Sequence, residues 1–407
     1  MASRLSKATK HARKGLIIFM IFAVGTFLFS FIFGATDPKK EITSGSNREK
    51  DAYLAPDQKL GDIPYPNIKA LESTSISNTT YSIQDRDVLP TFPPVFNVYE
   101  INKPREKLGN VPKANEVAQK LEIVNGSRNI SDNVLLWQSA DTARTLSYDK
   151  LFEKWTYNTD IFKERFDTKT QSEIVLETTP DFYSGKALSI ISSLGLNDNR
   201  FDNSNSEVFY VNSTDTINFT TATNPRNAKY VYINQYKKLV VSELVSDYRP
   251  IEKESPKFNL LVDIRKLDYT KGVVNMLLRD DMKELLPGLV KFDYHHFNLG
   301  EKGVYNSLTS TEAFLKLQNN QGKLYWLKLK SEDRFNNHIA LPVLEYKINA
   351  PSTKIIYIEP NEWIESETWT NYLQPYYLFE GVAILEDGRE ADFAIILPAL
   401  TDAEYLK

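Results

Sequence analysis

Leu16 to Ala35, LIIFMIFAVGTFLFSFIFGA, is a run of twenty residues without one ionisable group. At about 1.5 Å rise per residue it makes a helix about 30 Å long, the thickness of a bilayer's hydrocarbon core. No other stretch of the chain has this character. Arg4, Lys7, Lys10, Arg13 and Lys14 precede it, with no acid among the first fourteen residues. The positive-inside bias then keeps residues 1–15 in the cytoplasm, makes 16–35 a transmembrane helix and puts everything after Thr36 outside. A cleaved signal peptide is the competing reading. Its apolar region runs about 7–15 residues and ends at an A-x-A-like site. Here the run is longer, and Phe33 stands where a small residue is wanted. The expectation is a single-pass cell-membrane protein carrying about 370 extracytoplasmic residues.

Several function classes recede on composition. The net charge is −4, with Lys and Arg interspersed among acids, which argues against nucleic acid as a partner. The chain has no Cys, so disulfides, thiolate metal sites and a Cys nucleophile are excluded. The exported part must be held by its cores alone, which fits a bacterial envelope better than a eukaryotic secretory route.

Residues 36–90 read as a flexible stalk. They hold Pro56, Pro64 and Pro66 and a Ser/Thr-rich run from Ser73 to Thr80, with no apolar period to offset ordering entropy. From Thr91 the texture changes. Val95–Tyr99 is strand-like, and 112–121 has Val117, Ala118 and Leu121 at helical spacing after Pro112. Asn133–Gln138 and Thr145–Tyr148 then alternate as strands. A similar order follows: a helix over 184–196 ended by Gly195, then strands at 207–211, 216–219 and 230–233. A third unit opens at Thr309, placed to cap a helix with Glu312 three residues on. Strands are expected at 323–329, 342–347, 354–358, 376–385 and 391–397, the last two joined by a hairpin around Gly388. Leu239 to Phe297 holds more strand-like alternation and a short helix around Asp280–Leu286. The expected fold is α+β, with antiparallel sheets and short helices in repeated helix-plus-meander units. These make two lobes, 91–240 and 241–407, split near 235–255.

YLQPYYLFEG at 372–381, the hairpin after it and FAIILPAL at 393–400 resemble the end of the YycH/YycI-type extracytoplasmic regulators of bacterial cell-wall signalling. TEAFLKL at 311–317 sits where a PepSY-like unit has its helix. The resemblance covers about the last hundred residues and the overall layout. It implies a single-pass protein with its N-terminus inside, and protein–protein regulation in the envelope without catalysis.

Catalytic patterns are sparse. Of the four His, only Asp293-Tyr294-His295-His296 is dense, and neighbouring strand residues face opposite sides, so both imidazoles cannot ligate one metal from a regular strand. Ser147-x-x-Lys150 lacks the motifs that accompany such a nucleophile, and no Gly-rich phosphate loop is present. Paired acids such as Asp280-Asp281 and Glu386-Asp387 suit helix ends and turns. The aromatics are more suggestive: Trp363, Trp369, Tyr372 and Tyr376 form a candidate binding surface, or else pack the sheets. The leading expectation is a non-enzymatic, cofactor-free module that binds and regulates or scaffolds another bacterial envelope component, an envelope protein first among them. A module that binds a cell-wall ligand through the aromatic-rich C-terminal sheet is the alternative, and an envelope hydrolase a third reading.

Overall fold

A computed structural model describes residues 59–406 except 67, 69–70, 72–73, 85–86, 104, 161–175, 214–217, 246–256, 280–287 and 360–371. The expected transmembrane run, the helix around Asp280–Leu286, and Trp363 and Trp369 lie outside the described residues. Among the described residues no helix is long and apolar enough to cross a membrane.

The fold is mixed α+β, mostly sheet with three helices among the described residues. The first half runs β1 (Thr74–Ile83), β2 (Val95–Ile101), α1 (Asn110–Lys120), β3 (Arg128–Asn129), β4 (Val134–Gln138), β5 (Arg144–Asp149) and β6 (Lys154–Thr159). Next come α2 (Pro180–Ser193), β7 (Phe201–Ser213), β8 (Phe219–Thr221), β9 (Tyr230–Val245), β10 (Lys257–Arg265), β11 (Val274–Leu278), β12 (Leu289–His295) and β13 (Leu299–Asn306). The chain ends with α3 (Ser310–Gln318), β14 (Lys323–Leu329), β15 (Pro342–Ile348), β16 (Lys354–Ile358), β17 (Tyr372–Leu373), β18 (Pro375–Leu385) and β19 (Glu390–Pro398).

The helices begin and end where local chemistry directs. Thr309 Oγ1 accepts from Glu312 N at 3.2 Å while Thr309 N donates to Glu312 Oε2 at 2.8 Å, a complete capping box. Gly195 follows α2 at φ +73°, the left-handed position a helix exit favours. α1 is followed by the meander β3–β4–β5–β6 and α2 by the antiparallel pair β7–β9. After α3 the order interleaves instead: β14 pairs with β19, and β18 takes both β15 and β16.

Among the described residues sixteen strands join one sheet, and β13, β2 and β17 form a second. Pairing within them is antiparallel except β1 with β15 and β10 with β16. The division expected near 235–255 falls on the end of β9 and on residues outside the described set, and β9 pairs antiparallel with β10. The small sheet packs on the large one through polar anchors: Asn97 Nδ2 and Tyr99 OH both donate to Val240 O, at 3.1 and 2.6 Å.

The large sheet is buried on both faces along its C-terminal strands, which explains their continuous apolar runs. On β18, Tyr377 and Phe379 join the main core, while Tyr376 and Leu378 join a separate cluster with Ile356, Ile358, Tyr325, Ala394 and Ile396. On β9, Val231 and Ile233 face the main core, whereas Tyr230 and Tyr232 face a third cluster with Val211, Leu277 and Val290. Alternate residues lie on opposite faces, so both satellite clusters sit behind the main core.

Part of the segment assigned to the stalk is ordered. β1 runs parallel to β15, with Tyr81 stacked on Tyr346 at 5.2 Å. Ile63 is fully buried and bridges Tyr405, Lys59 Nζ lies 2.5 Å from Glu404 Oε2, and Leu406 N donates to Ile63 O at 2.8 Å.

Candidate functional site

A cleft of about 720 Å³ opens between the two satellite clusters. One wall carries Tyr269 and Trp326 and the other Phe219, Tyr232 and Phe335, with Lys291 and Asp293, two apart on β12, also lining it. Its volume falls in the range of small-ligand sites. Tyr269 and Trp326 stack with centroids 4.8 Å apart and planes 20° apart. Phe335 meets Tyr232 edge-on at 5.3 Å, and Phe209 and Phe219 each at 5.8 Å.

The loop carrying Tyr269 is pinned at several points. Asp268 Oδ1 accepts from Thr270 N at 3.0 Å and Thr270 Oγ1 at 2.6 Å, and Asn234 Nδ2 holds Thr270 O at 2.8 Å. Burial raises the Asp268 carboxyl, but the Thr270 and Lys271 hydrogen bonds outweigh it and the net direction is down. Tyr269 OH donates to Glu380 Oε1 at 2.6 Å, and Tyr325 OH donates to Lys266 O. Gly272 closes the loop because a Cβ there would lie 2.8 Å from the backbone N and O of Gln235. The opposite loop is fastened by Lys328, whose ammonium donates to Asn336 O and Asn337 O at 2.8 and 2.9 Å. Asp333 accepts from Thr221 N and caps Phe335 N at 3.0 Å. Both walls are thus tied by hydrogen bonds made within the protein.

A second cleft of about 520 Å³ is lined by Lys103, Arg105, Lys107, Glu153, His295 and His296 among others. Behind it lies Lys237, wholly buried, with its ammonium 4.9, 5.2 and 5.4 Å from the ring centroids of Tyr294, Phe201 and Phe297. Lys237 Nζ donates to Tyr294 OH at 3.2 Å, and that hydroxyl meets His296 Nδ1 at 3.0 Å. This order makes Nδ1 the acceptor and leaves the imidazole proton on Nε2, which faces Asn298 Oδ1 at 3.3 Å. Burial, then the Lys237 charge, push the His296 imidazole down to about 4, so it is neutral at ordinary pH. His295 turns elsewhere and hydrogen-bonds the buried Glu359 through Nδ1. The two imidazoles of the His pair therefore serve different partners. Among the described residues no group of three His, Cys, Asp or Glu side chains could hold a metal ion.

The aromatics singled out in the sequence fall elsewhere. Tyr376 is buried in the satellite cluster behind β18. Tyr372 is half-buried, packs against the main core and pairs with Glu100 across β17 and β2. Neither lines the larger cleft. The aromatics that do, Phe219, Tyr232, Tyr269, Tyr325, Trp326 and Phe335, come from five separate segments. The one local signal was the Tyr325-Trp326 pair in a strand with Lys328 two places on. In the Ser147-x-x-Lys150 spacing, Lys150 Nζ lies 3.2 Å from Glu106 Oε1. Asp387 makes turn contacts, accepting from Arg389 N at 3.0 Å. No protein-family model matches this chain, and no curated protein matches it.

Proposed function

We propose that the chain is a membrane-anchored, extracytoplasmic, non-enzymatic module that binds another component of the bacterial envelope and regulates or scaffolds it. The observation that carries the reading is the aromatic cleft: about 720 Å³, hydrogen-bonded on both sides and lined by residues from several distant segments. Rigid aromatic area with a few placed polar groups gives affinity at small entropic cost. The apolar run Leu16–Ala35 and the basic residues before it supply the anchor and its orientation. The C-terminal resemblance to YycH/YycI-type regulators supports a regulatory role for the bound state. An anchor also confines the module and an envelope partner to one surface, which raises their effective concentration.

The test places a photo-crosslinking side chain at exposed Asn337, on the cleft, and separately at Leu108, fully exposed and not part of it. In cells making the full chain, Asn337 is expected to trap an envelope component, with loss of the adduct on Tyr269→Ala. A reporter fused after Lys407 is expected to be active only outside the cytoplasm. Equal trapping at Leu108, or adducts indifferent to Tyr269→Ala, would remove the cleft from the account.

A further inference from the structure

The aromatic cleft runs along a strand edge, and the edge restricts what fits there. Leu324, Tyr325, Trp326, Leu327 and Lys328 are consecutive on β14 and all line the cleft. Successive strand side chains point to opposite faces, so a whole run meets one cleft only if the cleft follows the edge. Among the described residues β14 pairs with β19 and with no other strand. An open edge of this kind accepts an added peptide strand.

This edge is blunted in three ways. The β14–β19 register shifts between Leu324 and Trp326, bulging Tyr325 out of the ladder. Leu71 N already donates to Leu324 O at 2.9 Å. Lys328 draws the Asn336 and Asn337 carbonyls towards the strand. Bulges, lysines and covering loops are the devices by which edges avoid strand addition. An extended peptide finds little free backbone here.

The charges of the cleft are likewise paired within the protein at ion-pair distance, with Arg334 Nε and Nη2 making no hydrogen bond. Lys271 lies 2.9 Å from Asp268, Lys291 3.5 Å from Asp293, and Arg334 3.7 Å from Glu207. A charged ligand would have to displace these pairs. What the cleft offers instead is the half-buried Tyr269–Trp326 stack and the exposed amides of Asn336 and Asn337. A pyranose ring has an apolar C–H face and a rim of hydroxyls that both donate and accept. The first matches an aromatic face, the second a neutral amide.

We infer that the cleft binds a neutral saccharide, its ring face laid against the Tyr269–Trp326 pair and its hydroxyls meeting Asn336 and Asn337. The inference rests on the reading of this cleft as the ligand seat.

The experiment uses the full chain in lipid nanodiscs free of glycoside detergent. Chitotetraose, cellotetraose and maltotetraose are titrated while intrinsic tryptophan fluorescence and heat are followed. At least one of them is expected to bind saturably. Tyr269→Ala is expected to weaken it about tenfold or more. Trp326→Phe, which keeps a ring in the packing, removes the fluorescence response and weakens binding, and Asn337→Ala weakens binding with the melting temperature unchanged. Failure of all three sugars at millimolar concentration, with a peptide or protein adduct still trapped at Asn337, overturns the saccharide while leaving the cleft as a binding site. Failure of the sugars and of trapping together overturns both. Sugar binding untouched by Tyr269→Ala and Asn337→Ala also overturns the inference, because it places the sugar elsewhere.

Discussion

Lys237 Nζ lies 3.0 Å from Asp198 Oδ2, and both side chains are almost wholly withdrawn from solvent. Arg200 holds the same carboxylate through Nε at 2.8 Å and Nη2 at 2.6 Å. Burial raises the Asp198 carboxyl, but Arg200 and Lys237 outweigh it and hold it far below the usual carboxylate range. Burial, then the Arg200 charge, push the Lys237 ammonium down to about 8 against the pull of Asp198.

The lysine shift carries a definite sign. In the unfolded chain an ordinary lysine binds its proton up to about pH 10.4. Between about pH 8 and pH 10 the unfolded state therefore holds more protons than the folded one, and stability rises with pH. Denaturant midpoints of the wild type and Lys237→Met, compared at about pH 8 and pH 10, should diverge, with the wild type gaining about 2 kcal/mol relative to the variant. Parallel curves would show that Lys237 titrates as an ordinary lysine.

Gly381 sits on β18 against Ile348 of β15, and a Cβ there would lie 2.0 Å from Lys347 O and 3.0 Å from Asn349 N. Both atoms are backbone, so relief requires opening the ladder. Gly381→Ala should cost about 3 kcal/mol or more, read as a lower melting temperature of the purified protein. A near-native transition would mean that this pairing has more slack than its spacing allows.

Thr309→Ala removes the hydroxyl half of the α3 capping box. The expected loss is about 1 kcal/mol. Thr309→Ser should recover most of it, since serine presents the same acceptor, and paired denaturation curves would show this.

Tyr376 and Tyr372 separate packing from exposure. Tyr376 is 5 % exposed within an apolar cluster, whereas Tyr372 is half-buried on a two-residue strand. Tyr376→Ala should cost about 3–5 kcal/mol, as for other large aromatics cut from a core. Tyr372→Ala should cost clearly less in the same assay. Equal losses would contradict the burial difference.

Local chemistry made much of the fold legible. α1, α2 and α3 were signalled by Pro112, by Gly195 and by the Thr309–Glu312 pair, each acting within a few residues of its helix end. The turn between β18 and β19 was signalled by Gly388, which adopts φ +82°. Apolar alternation located most strands because a buried face imposes its period on any strand. β1 escaped that test. Its Ser/Thr-rich sequence has no apolar period, and it joins the sheet through main-chain pairing with β15, which requires none.

What the sequence determined by itself is therefore most of the helices and strands, the cysteine-free chemistry and the presence of one long apolar run. Only the tertiary structure decided which aromatics share a cleft. Trp363, Trp369, Tyr372 and Tyr376 drew attention because they are close in the chain, yet Tyr376 is committed to packing. Tyr269 and Trp326 belong to a loop and a strand far apart in sequence, and they meet because β16 and β18 link β10 to β19, and β19 carries β14. Lys237 tells the same story: in NQYKKLVV it looks like one of two ordinary polar positions, and it becomes a buried ion only when Asp198 and Tyr294 arrive from distant segments. Propensity and capping act over one or two turns of chain, whereas burial and electrostatics depend on whatever the long-range pairings bring alongside.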